Sequence, residues 1–397
     1  MSAAAKTHGM DKERVDPDWP ALTLAEMRTL LAQFPDCGVP LKILFVSPRP
    51  FSAACVVATG SGRVFIKRHH RTVRDREGLL EEHRFLAHLA AHGAPVPRVF
   101  AAASGGTAIE IGEWTYEVHE APGGGDIYED ALSWTPFLST AHARSAGQAL
   151  ARLHLASQGF EAPRRKTQPL VASFTIFGSR DPRTAMENYL AARPVLAGNA
   201  VAHQSCNEAI ELLAPFFAEL KPKLSAIQPL WTHNDLHASN LLWSSASKDA
   251  QVAAIIDFGL ADRTNAVHDL AQAIERNIVE WLDLDPASTT GEEVRVHLDQ
   301  LEALLDGYDS LRPLTSDEAS ALAPMTALCH AEFALSEADY FLSVLHSEEK
   351  MRVALLDYLI GHARWFRSTG GTKLLNAIRQ RMANREHRMA AVGADSR

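Results

Sequence analysis

Short apolar runs separated by turn residues fill the first 120 residues of the chain, a pattern typical of strands. Helical spacing of apolar residues precedes these runs at 22–34 and interrupts them at 76–91. The strand patterns themselves lie at residues 41–46, 53–58, 63–67, 109–111 and 114–119. We therefore predict an N-terminal five-stranded antiparallel sheet with one inserted helix.

Helical spacing dominates the chain after the Pro-Gly-Gly-Gly sequence at 122–125. Two short strand patterns, at 241–243 and 252–256, flank a polar turn. The helical patterns lie at 139–155, 186–196, 207–224, 270–281, 294–311 and 316–345. A strand-rich front and a helix-rich back joined by glycines indicate an α+β fold with two lobes around a cleft.

Composition narrows the class of protein. The 397 residues are 46% hydrophobic and 22% charged, as in ordinary soluble proteins. The net charge of −9 argues against a nucleic-acid partner. The four cysteines have no metal-ligand spacing, and no apolar run is long enough for a secretory signal or a membrane span. We expect a cytoplasmic protein without membrane contact, either a monomer or a homodimer.

The sequence His-Asn-Asp-Leu-His-Ala-Ser-Asn at 233–240 carries the clearest chemical signal. Asp235 can accept a proton from an attacking hydroxyl, and Asn240 and Asp257 can hold a divalent metal ion. A base followed by two metal ligands at this spacing is typical of phosphoryl transfer. An isolated loop aspartate would as often be merely solvated. The two companions favour a catalytic role for Asp235.

Metal binding by Asp257 is favoured because it follows an apolar strand pattern, where an unpaired acid is costly. His233 and His237 have a spacing that binds zinc on a helix, but here they lie in a predicted loop without a third soft ligand. We therefore interpret the two histidines as residues that order the loop.

Lys67 ends a predicted strand and is the candidate for binding the nucleotide phosphates. The alternative is an edge-strand lysine that opposes aggregation. Among the glutamates of the next helix, Glu82 shares the apolar face, so we predict that it pairs with Lys67. The backbone of His119 and Glu120 is predicted to bind adenine at the joint between the lobes.

With these residues, the chain resembles the aminoglycoside phosphotransferase and choline kinase-like family, which includes homoserine kinase-like members. The resemblance covers most of residues 40–345. It implies a bilobal protein-kinase-like fold, ATP, Mg²⁺ and a small hydroxylated acceptor. The resemblance rests on Ile66-Lys67, the Glu82 helix with the Gly-Ala-Pro-Val-Pro sequence at 93–97, and the motifs at 149–154, 233–240, 256–259 and 268–271.

Three features depart from the family pattern. Asn234 stands where the family usually has glycine before the catalytic aspartate. The phosphate-covering loop at 47–52 is poor in glycine, so Ser52 is predicted to contact phosphate through its hydroxyl or backbone. Phe258-Gly259 follows Asp257, as in protein kinases, but no Ala-Pro-Glu segment follows, which argues against a protein substrate.

The sequence thus predicts a small-molecule kinase that moves the γ-phosphate of ATP to a hydroxyl. The rival hypothesis is a catalytically silent nucleotide-binding pseudokinase. An amine-bearing acceptor would suit an acidic pocket formed by Glu332, Glu337 and Asp339 near Tyr340; alternatively, these acids form a solvated helix face.

The predicted domains follow from these roles. Residues 1–20 form a flexible tail and 21–120 a nucleotide-binding N-lobe. Residues 121–378 form a helical C-lobe with the catalytic and metal loops and the acceptor pocket. A basic tail occupies residues 379–397.

Overall fold

A computed structural model describes residues 15–166, 169–285 and 288–395, with side chains up to residue 385. Most of the predicted flexible tail therefore lies outside the described residues. The N-terminal part is a single sheet in the strand order β1-β2-β3-β5-β4, with every neighbouring pair antiparallel. Its elements are α1 (Leu24–Leu31), β1 (Pro40–Val46), β2 (Ala53–Thr59), β3 (Gly62–His70), α2 (Arg76–Ala91), β4 (Ala108–Ile111) and β5 (Trp114–Glu120).

The helices of this part begin where the sequence supplies caps. The Thr23 side chain accepts a hydrogen bond from the Glu26 backbone and caps α1. The Asp75 side chain accepts one from the Gly78 backbone and caps α2. The buried face of α1, with Met27 and Leu30, packs with sheet residues into a small separate core. The predicted five-stranded sheet and inserted helix are confirmed.

The C-terminal part is mostly helical and has the larger hydrophobic core. Its helices are α3 (Thr140–Ala156), α4 (Pro182–Ala191), α5 (Pro194–Ala197), α6 (Ala200–Leu220), α7 (Ala266–Ile278), α8 (Leu298–Asp309), α9 (Ser316–Leu328), α10 (Ala331–Asp339), α11 (Glu348–Val353), α12 (Gly361–Arg367) and α13 (Thr369–Asp395). The segments Tyr340–Val344 and Ala354–Ile360 are π-helical. None of the described helices is both long and apolar enough to cross a membrane.

Several helix boundaries differ from the sequence prediction. The predicted helix at 186–196 starts earlier, at Pro182, and stops at Ala191 because Pro194 cannot donate a backbone hydrogen bond and instead starts α5. Residues 379–385, the start of the predicted basic tail, continue helix α13. There, the Arg381 and Arg385 side chains are buried and form ion pairs with acids of α8.

Two small sheets carry the chemical motifs. β7 (Leu241–Trp243) pairs with β8 (Val252–Ile255), as predicted. β6 (Pro229–Thr232) pairs with β9 (Asp262–Asn265), a sheet that the sequence did not indicate because β9 consists of polar residues. The hairpin of β7 and β8 brings the sequence before β7 and the sequence after β8 to the same end.

Two glycines allow α3 and α8 to pack closely. A methyl group at Gly147 would overlap the Leu304 carbonyl oxygen, and one at Gly307 would overlap the Arg144 carbonyl oxygen. Both opposing atoms belong to helix backbone and cannot move aside as a side chain end could. The close crossing matters to the site because α3 and α8 carry His154 and Tyr308, whose side chains share a hydrogen bond.

We predict that Gly147→Ala lowers the free energy of unfolding by about 1–3 kcal/mol, since overpacking in a rigid crossing costs this much. Gly361→Ala in α12 is the matched control. Its added methyl group would lie 3.6 Å from the nearest atom, so we expect it to be neutral or stabilising. Chemical denaturation of both variants measures the difference. Equal stability of the two variants would contradict the close α3–α8 packing.

Candidate active site

Two adjoining cavities lie between the sheet and the helical part. The larger, of about 350 Å³, is lined by β-sheet residues and by Glu120, Ala121 and Pro122 at the joint. The smaller, of about 100 Å³, contains Asp235 and Ser52. Lys67, Asn240 and Asp257 line both cavities, so the structure brings these predicted site residues together.

An ion pair between Lys67 and Asp257 joins the two parts of the chain, with Lys67 Nζ 2.7 Å from Asp257 Oδ1. Burial would raise the pKa of Asp257, but the Lys67 ammonium outweighs burial and holds that pKa well below its usual range. Burial likewise lowers the pKa of Lys67, and Asp257, followed by Glu117 and Glu82, raises it above its usual value. Both side chains are therefore charged at neutral pH.

The predicted pairing of Lys67 with Glu82 is not the ion pair that the structure shows. Glu82 Oε2 lies 3.6 Å from Arg165 Nη2. Arg165 also donates to backbone oxygens of Gly78 (2.7 Å) and Gly259 (2.9 Å), which links α2 to the segment after Asp257. Glu82 lines the larger cavity and supports the charge of Lys67 from a distance.

Glu117 is the acid directly opposite Lys67 in the sheet, because the two residues are partners in the β3–β5 register. Its carboxylate lies 2.7–3.0 Å from the Nε2 atoms of His69, His83 and His119. Burial raises the pKa of Glu117, but the hydrogen bonds and charge of His119 and its neighbours lower it well below its usual value. The His119 side chain therefore belongs to this network, a role that the sequence did not indicate.

This histidine cluster has the ligand types of a metal site, since atoms of His83, Glu117 and His119 lie within 4.8 Å of one another. Each Nε2 is already satisfied by Glu117, so hydrogen bonding accounts for the arrangement. The pair Asn240 and Asp257 is different, because both side chains face cavities that a ligand can enter.

The predicted catalytic loop, residues 233–240, lies between β6 and β7. Asn240 Nδ2 donates to the backbone oxygen of Asp235 (2.9 Å) and to its Oδ2 (3.1 Å). Because the amide nitrogen of Asn240 is used in these hydrogen bonds, its amide oxygen is the atom suited to a metal ion. His233 Nδ1 accepts from the Asp235 backbone (3.1 Å), so this histidine orders the loop as predicted.

Asn234 adopts a left-handed backbone conformation, with φ of 61°. Asparagine tolerates this conformation better than most residues, which explains how it replaces the usual glycine. Its side chain also bonds to Thr232, Thr264 and the Leu260 backbone, and so ties the loop to β6 and β9. Asp257 is left-handed as well, with φ of 58°.

Asp269 fixes the backbone of the 233–240 loop by hydrogen bonds. Its carboxylate accepts backbone hydrogen bonds from His233 (2.9 Å) and Asn234 (2.7 Å), and His154 Nε2 lies 2.9 Å away. Burial raises the pKa of Asp269, but the hydrogen bond from His154 outweighs burial and lowers it. Helix α7 is capped by Asn265, so Asp269 lies inside the first turn of the helix and is not its N-cap.

The acids predicted to form an acceptor pocket are buried and mostly engaged elsewhere. Glu332 accepts hydrogen bonds from the backbone of Thr175 and Ile176, and Asp339 lies 3.6 Å from Arg193. Of these three acids, Glu337 is the one whose carboxylate has no hydrogen bond among the described residues. The described residues therefore form neither the acidic pocket nor the solvated helix face, because the acids are buried and Glu332 and Asp339 are bound by the segment before α4 and by Arg193.

Sequence reasoning missed Arg276, whose Nη1 contacts Asp235 Oδ1. Its side chain is fully buried on α7. The available signal was helical spacing, because Asp269, Gln272 and Arg276 lie at i, i+3 and i+7 and place polar groups on one face of the helix.

The sequence of the chain is similar to those of known phosphotransferases. The family model described as "Phosphotransferase enzyme family" matches residues 51–314. A homoserine kinase of Cupriavidus taiwanensis is 29% identical over 238 residues, which are 59% of this chain and 60% of the relative. A homoserine kinase of Gluconacetobacter diazotrophicus is 27% identical over 237 residues, 57% of this chain and 61% of the relative. The chain thus spans about three fifths of the length of these curated relatives.

Solved structures share the fold. A microcompartment-associated aminopropanol kinase matches with a TM-score of 0.56 at 18% identity, covering 88% of this chain and 99% of that one. An amicoumacin kinase in complex with AMP-PNP and Ca²⁺ matches with a TM-score of 0.54 at 14% identity, covering 85% and 92%. These likenesses confirm the predicted bilobal kinase-like fold. Since the family model covers most of the chain, including the loops of Asp235 and Asp257, the chain belongs to the phosphotransferase enzyme family.

Proposed function

We propose that this protein is an ATP- and Mg²⁺-dependent kinase that phosphorylates a hydroxyl of a small molecule. The observation that carries the proposal is the meeting of Asp235, Asn240, Asp257 and Lys67 around two adjoining cavities. These are the base, metal ligands and phosphate-binding cation that phosphoryl transfer requires. Such a complete set would be unnecessary in a nucleotide-binding pseudokinase.

The larger cavity suits the nucleotide, since its volume falls in the range of ordinary ligand sites. The backbone at His119 and Glu120 borders it and would bind adenine. Lys67 would bind the phosphates, with Glu117 and Glu82 maintaining its charge. Ser52 borders the smaller cavity, where its hydroxyl or backbone would contact the phosphate being transferred.

Asn240 and Asp257 fit Mg²⁺ because an amide oxygen and a carboxylate are the hard oxygen ligands that this ion prefers. When bound, the ion neutralises negative charge on the triphosphate. With the ion bound, Asp257 would interact with both the ion and Lys67. Its hold on the lysine would weaken, so the Lys67 ammonium could also bind the phosphates.

Asp235 would orient the acceptor hydroxyl and take its proton as the new oxygen–phosphorus bond forms and ADP leaves. Asp269 supports this step indirectly, because it fixes the backbone immediately before Asp235. The small volume next to Asp235 favours a compact acceptor over an oligosaccharide. The homoserine kinase relatives and the aminopropanol kinase fold neighbour support an amine-bearing alcohol.

We predict that Asp235→Asn lowers turnover at least about 10²-fold, because the variant cannot accept the hydroxyl proton. Nucleotide affinity should stay unchanged. Release of ADP, measured across a panel of amino alcohols, hydroxy amino acids and sugars, tests this expectation. Asp249→Asn, in the exposed turn between β7 and β8, is the matched control and should keep full activity. A parent protein that binds ATP but phosphorylates no acceptor would favour the pseudokinase hypothesis.

We predict that Asp269→Asn lowers kcat about 10- to 100-fold and leaves the KM for ATP nearly unchanged. The asparagine cannot accept from two backbone N–H groups and from His154 together, so the loop of Asp235 loses its fixed position. The free energy of unfolding should fall by about 1–3 kcal/mol. Steady-state kinetics with thermal melting tests both expectations. A variant with normal kcat and reduced stability would show that Asp269 is structural only.

A further inference from the structure

Arg49 lies at the same junction as three of the predicted site residues. Among the described residues, four line both cavities, namely Lys67, Asn240, Asp257 and Arg49. The first three are the phosphate-binding cation and the metal ligands of the proposed function. Arg49 therefore borders the place where the larger cavity, suited to the nucleotide, meets the smaller cavity that contains Asp235.

The sequence of the loop at 47–52 favours binding of phosphate by a side chain. In protein kinases a glycine-rich loop covers the phosphates, whereas residues 47–52 contain no glycine. Pro48 and Pro50 flank Arg49 and have no N–H group to donate. The backbone N–H of Arg49 already donates to Ser47 Oγ at 3.3 Å. The Arg49 guanidinium is therefore the group of this stretch that is suited to an anion.

Protein contacts hold this loop in place from its N-terminal side. The backbone N–H of Asp18 donates to the Pro50 oxygen (3.1 Å), and the indole N–H of Trp19 donates to the Phe51 oxygen (3.1 Å). The two prolines restrict the loop further, because each fixes its own φ angle and limits the conformation of the residue before it. Arg49 thus lies on a loop whose backbone is fixed by the protein itself.

The loop is also anchored to the helical part of the chain. The Asp18 carboxylate accepts hydrogen bonds from the Tyr340 hydroxyl (2.9 Å) and the Lys350 ammonium (3.1 Å). The Phe51 ring packs edge-on against the Tyr340 ring, with ring centres 5.3 Å apart. A charge fixed in this way stabilises a reaction better than a mobile one, because it does not have to reorganise as the reaction proceeds.

The Arg49 side chain reaches from the sheet to the helical part of the chain. Its Nη1 donates to Ser133 Oγ at 2.6 Å, in the segment before α3. A guanidinium has five N–H groups, so Arg49 can keep this hydrogen bond and also contact phosphate oxygens. Asp126 and Glu129 border the larger cavity as well. Because acids at this wall would repel a triphosphate, the positive charge of Arg49 would offset their effect.

We propose that Arg49 is a catalytic residue that contacts the γ-phosphoryl group during transfer. This inference rests on the proposed kinase function and adds a second cation to it. As the acceptor oxygen bonds to phosphorus, the bond to ADP breaks and its electron pair passes to an ADP oxygen. Arg49 balances the negative charge on the phosphoryl oxygens during this step. Lys67 shares its charge with Asp257, 2.7 Å away, so a further cation is required.

The first test removes the charge of Arg49. Arg49→Gln should lower kcat at least about 10²-fold, since the loss of one fixed group that stabilises developing charge costs this much. It should weaken binding of a non-hydrolysable ATP analogue about tenfold and leave ADP binding nearly unchanged, because ADP has no γ-phosphate. Release of ADP with the acceptor that the parent phosphorylates fastest measures kcat. Calorimetric titration of the full chain with Mg²⁺ measures both affinities.

Three further variants separate the charge of Arg49 from its position. Arg49→Lys keeps the charge and should recover part of the lost kcat. Ser133→Ala removes the hydrogen bond that orients Arg49 but leaves its charge, so its losses should be smaller than those of Arg49→Gln. Arg63→Gln is the matched control, because Arg63 lines the larger cavity and is not among the residues of the smaller one. It should affect the ATP analogue and ADP alike.

The possible outcomes are distinct. Normal kcat in Arg49→Gln, with an active parent, overturns the inference alone. Equal losses in Ser133→Ala and Arg49→Gln, or no recovery in Arg49→Lys, show that Arg49 only positions the loop and also overturn it. The same holds if Arg49→Gln weakens the ATP analogue and ADP equally. A parent that phosphorylates no acceptor contradicts the kinase function itself. Thermal melting checks folding, and Arg49→Met replaces Arg49→Gln if that variant does not fold.

Discussion

The ion pair between Lys67 and Asp257 is the interaction on which the site depends. It joins strand β3 of the sheet to the segment that follows the β7–β8 hairpin, across a separation of 190 residues in the chain. Because Lys67 is buried, its charged form depends on the carboxylate of Asp257, which borders both cavities. Their pairing therefore fixes the cleft and preserves the two charges that the proposed binding of ATP and Mg²⁺ requires.

Around this pair, the residues that stabilise the site are distinct from those that line the cavities. Glu117, bonded to three histidines, is the register partner of Lys67 in the sheet. Asp269, bonded to His154, accepts hydrogen bonds from the backbone of the 233–240 loop. In both places, a buried carboxylate is kept ionised by hydrogen bonds rather than by solvent. Asp235, Asn240 and Asp257 remain at the cavity walls, where ligands can reach them.

Much of the fold was predictable from the sequence because it depends on local periodicity. The alternation in residues 41–67 and the apolar face of α2 identify the sheet and its helix without any tertiary information. The spacing of Asp235, Asn240 and Asp257 likewise indicates their convergence. The pairing of β6 with β9 was not predictable, because the Asp-Arg-Thr-Asn sequence of β9 has no strand pattern.

The errors at the site have a common physical cause. Whether Glu82 or Asp257 contacts Lys67 depends on Arg165, which lies in a segment without regular structure. Whether Glu332 faces an acceptor depends on the backbone of Thr175 and Ile176, which folds over it. Such partners come from irregular segments distant in the chain, so periodicity carries no information about them.

The most direct test of the central claim is a crystal structure with a non-hydrolysable ATP analogue and Mg²⁺. We expect the ion to be bound by the Asn240 amide oxygen and the Asp257 carboxylate, and Lys67 to contact the phosphates. The γ-phosphate should face Asp235. A nucleotide bound outside the larger cavity, or a metal ion held without Asp257, would contradict the account.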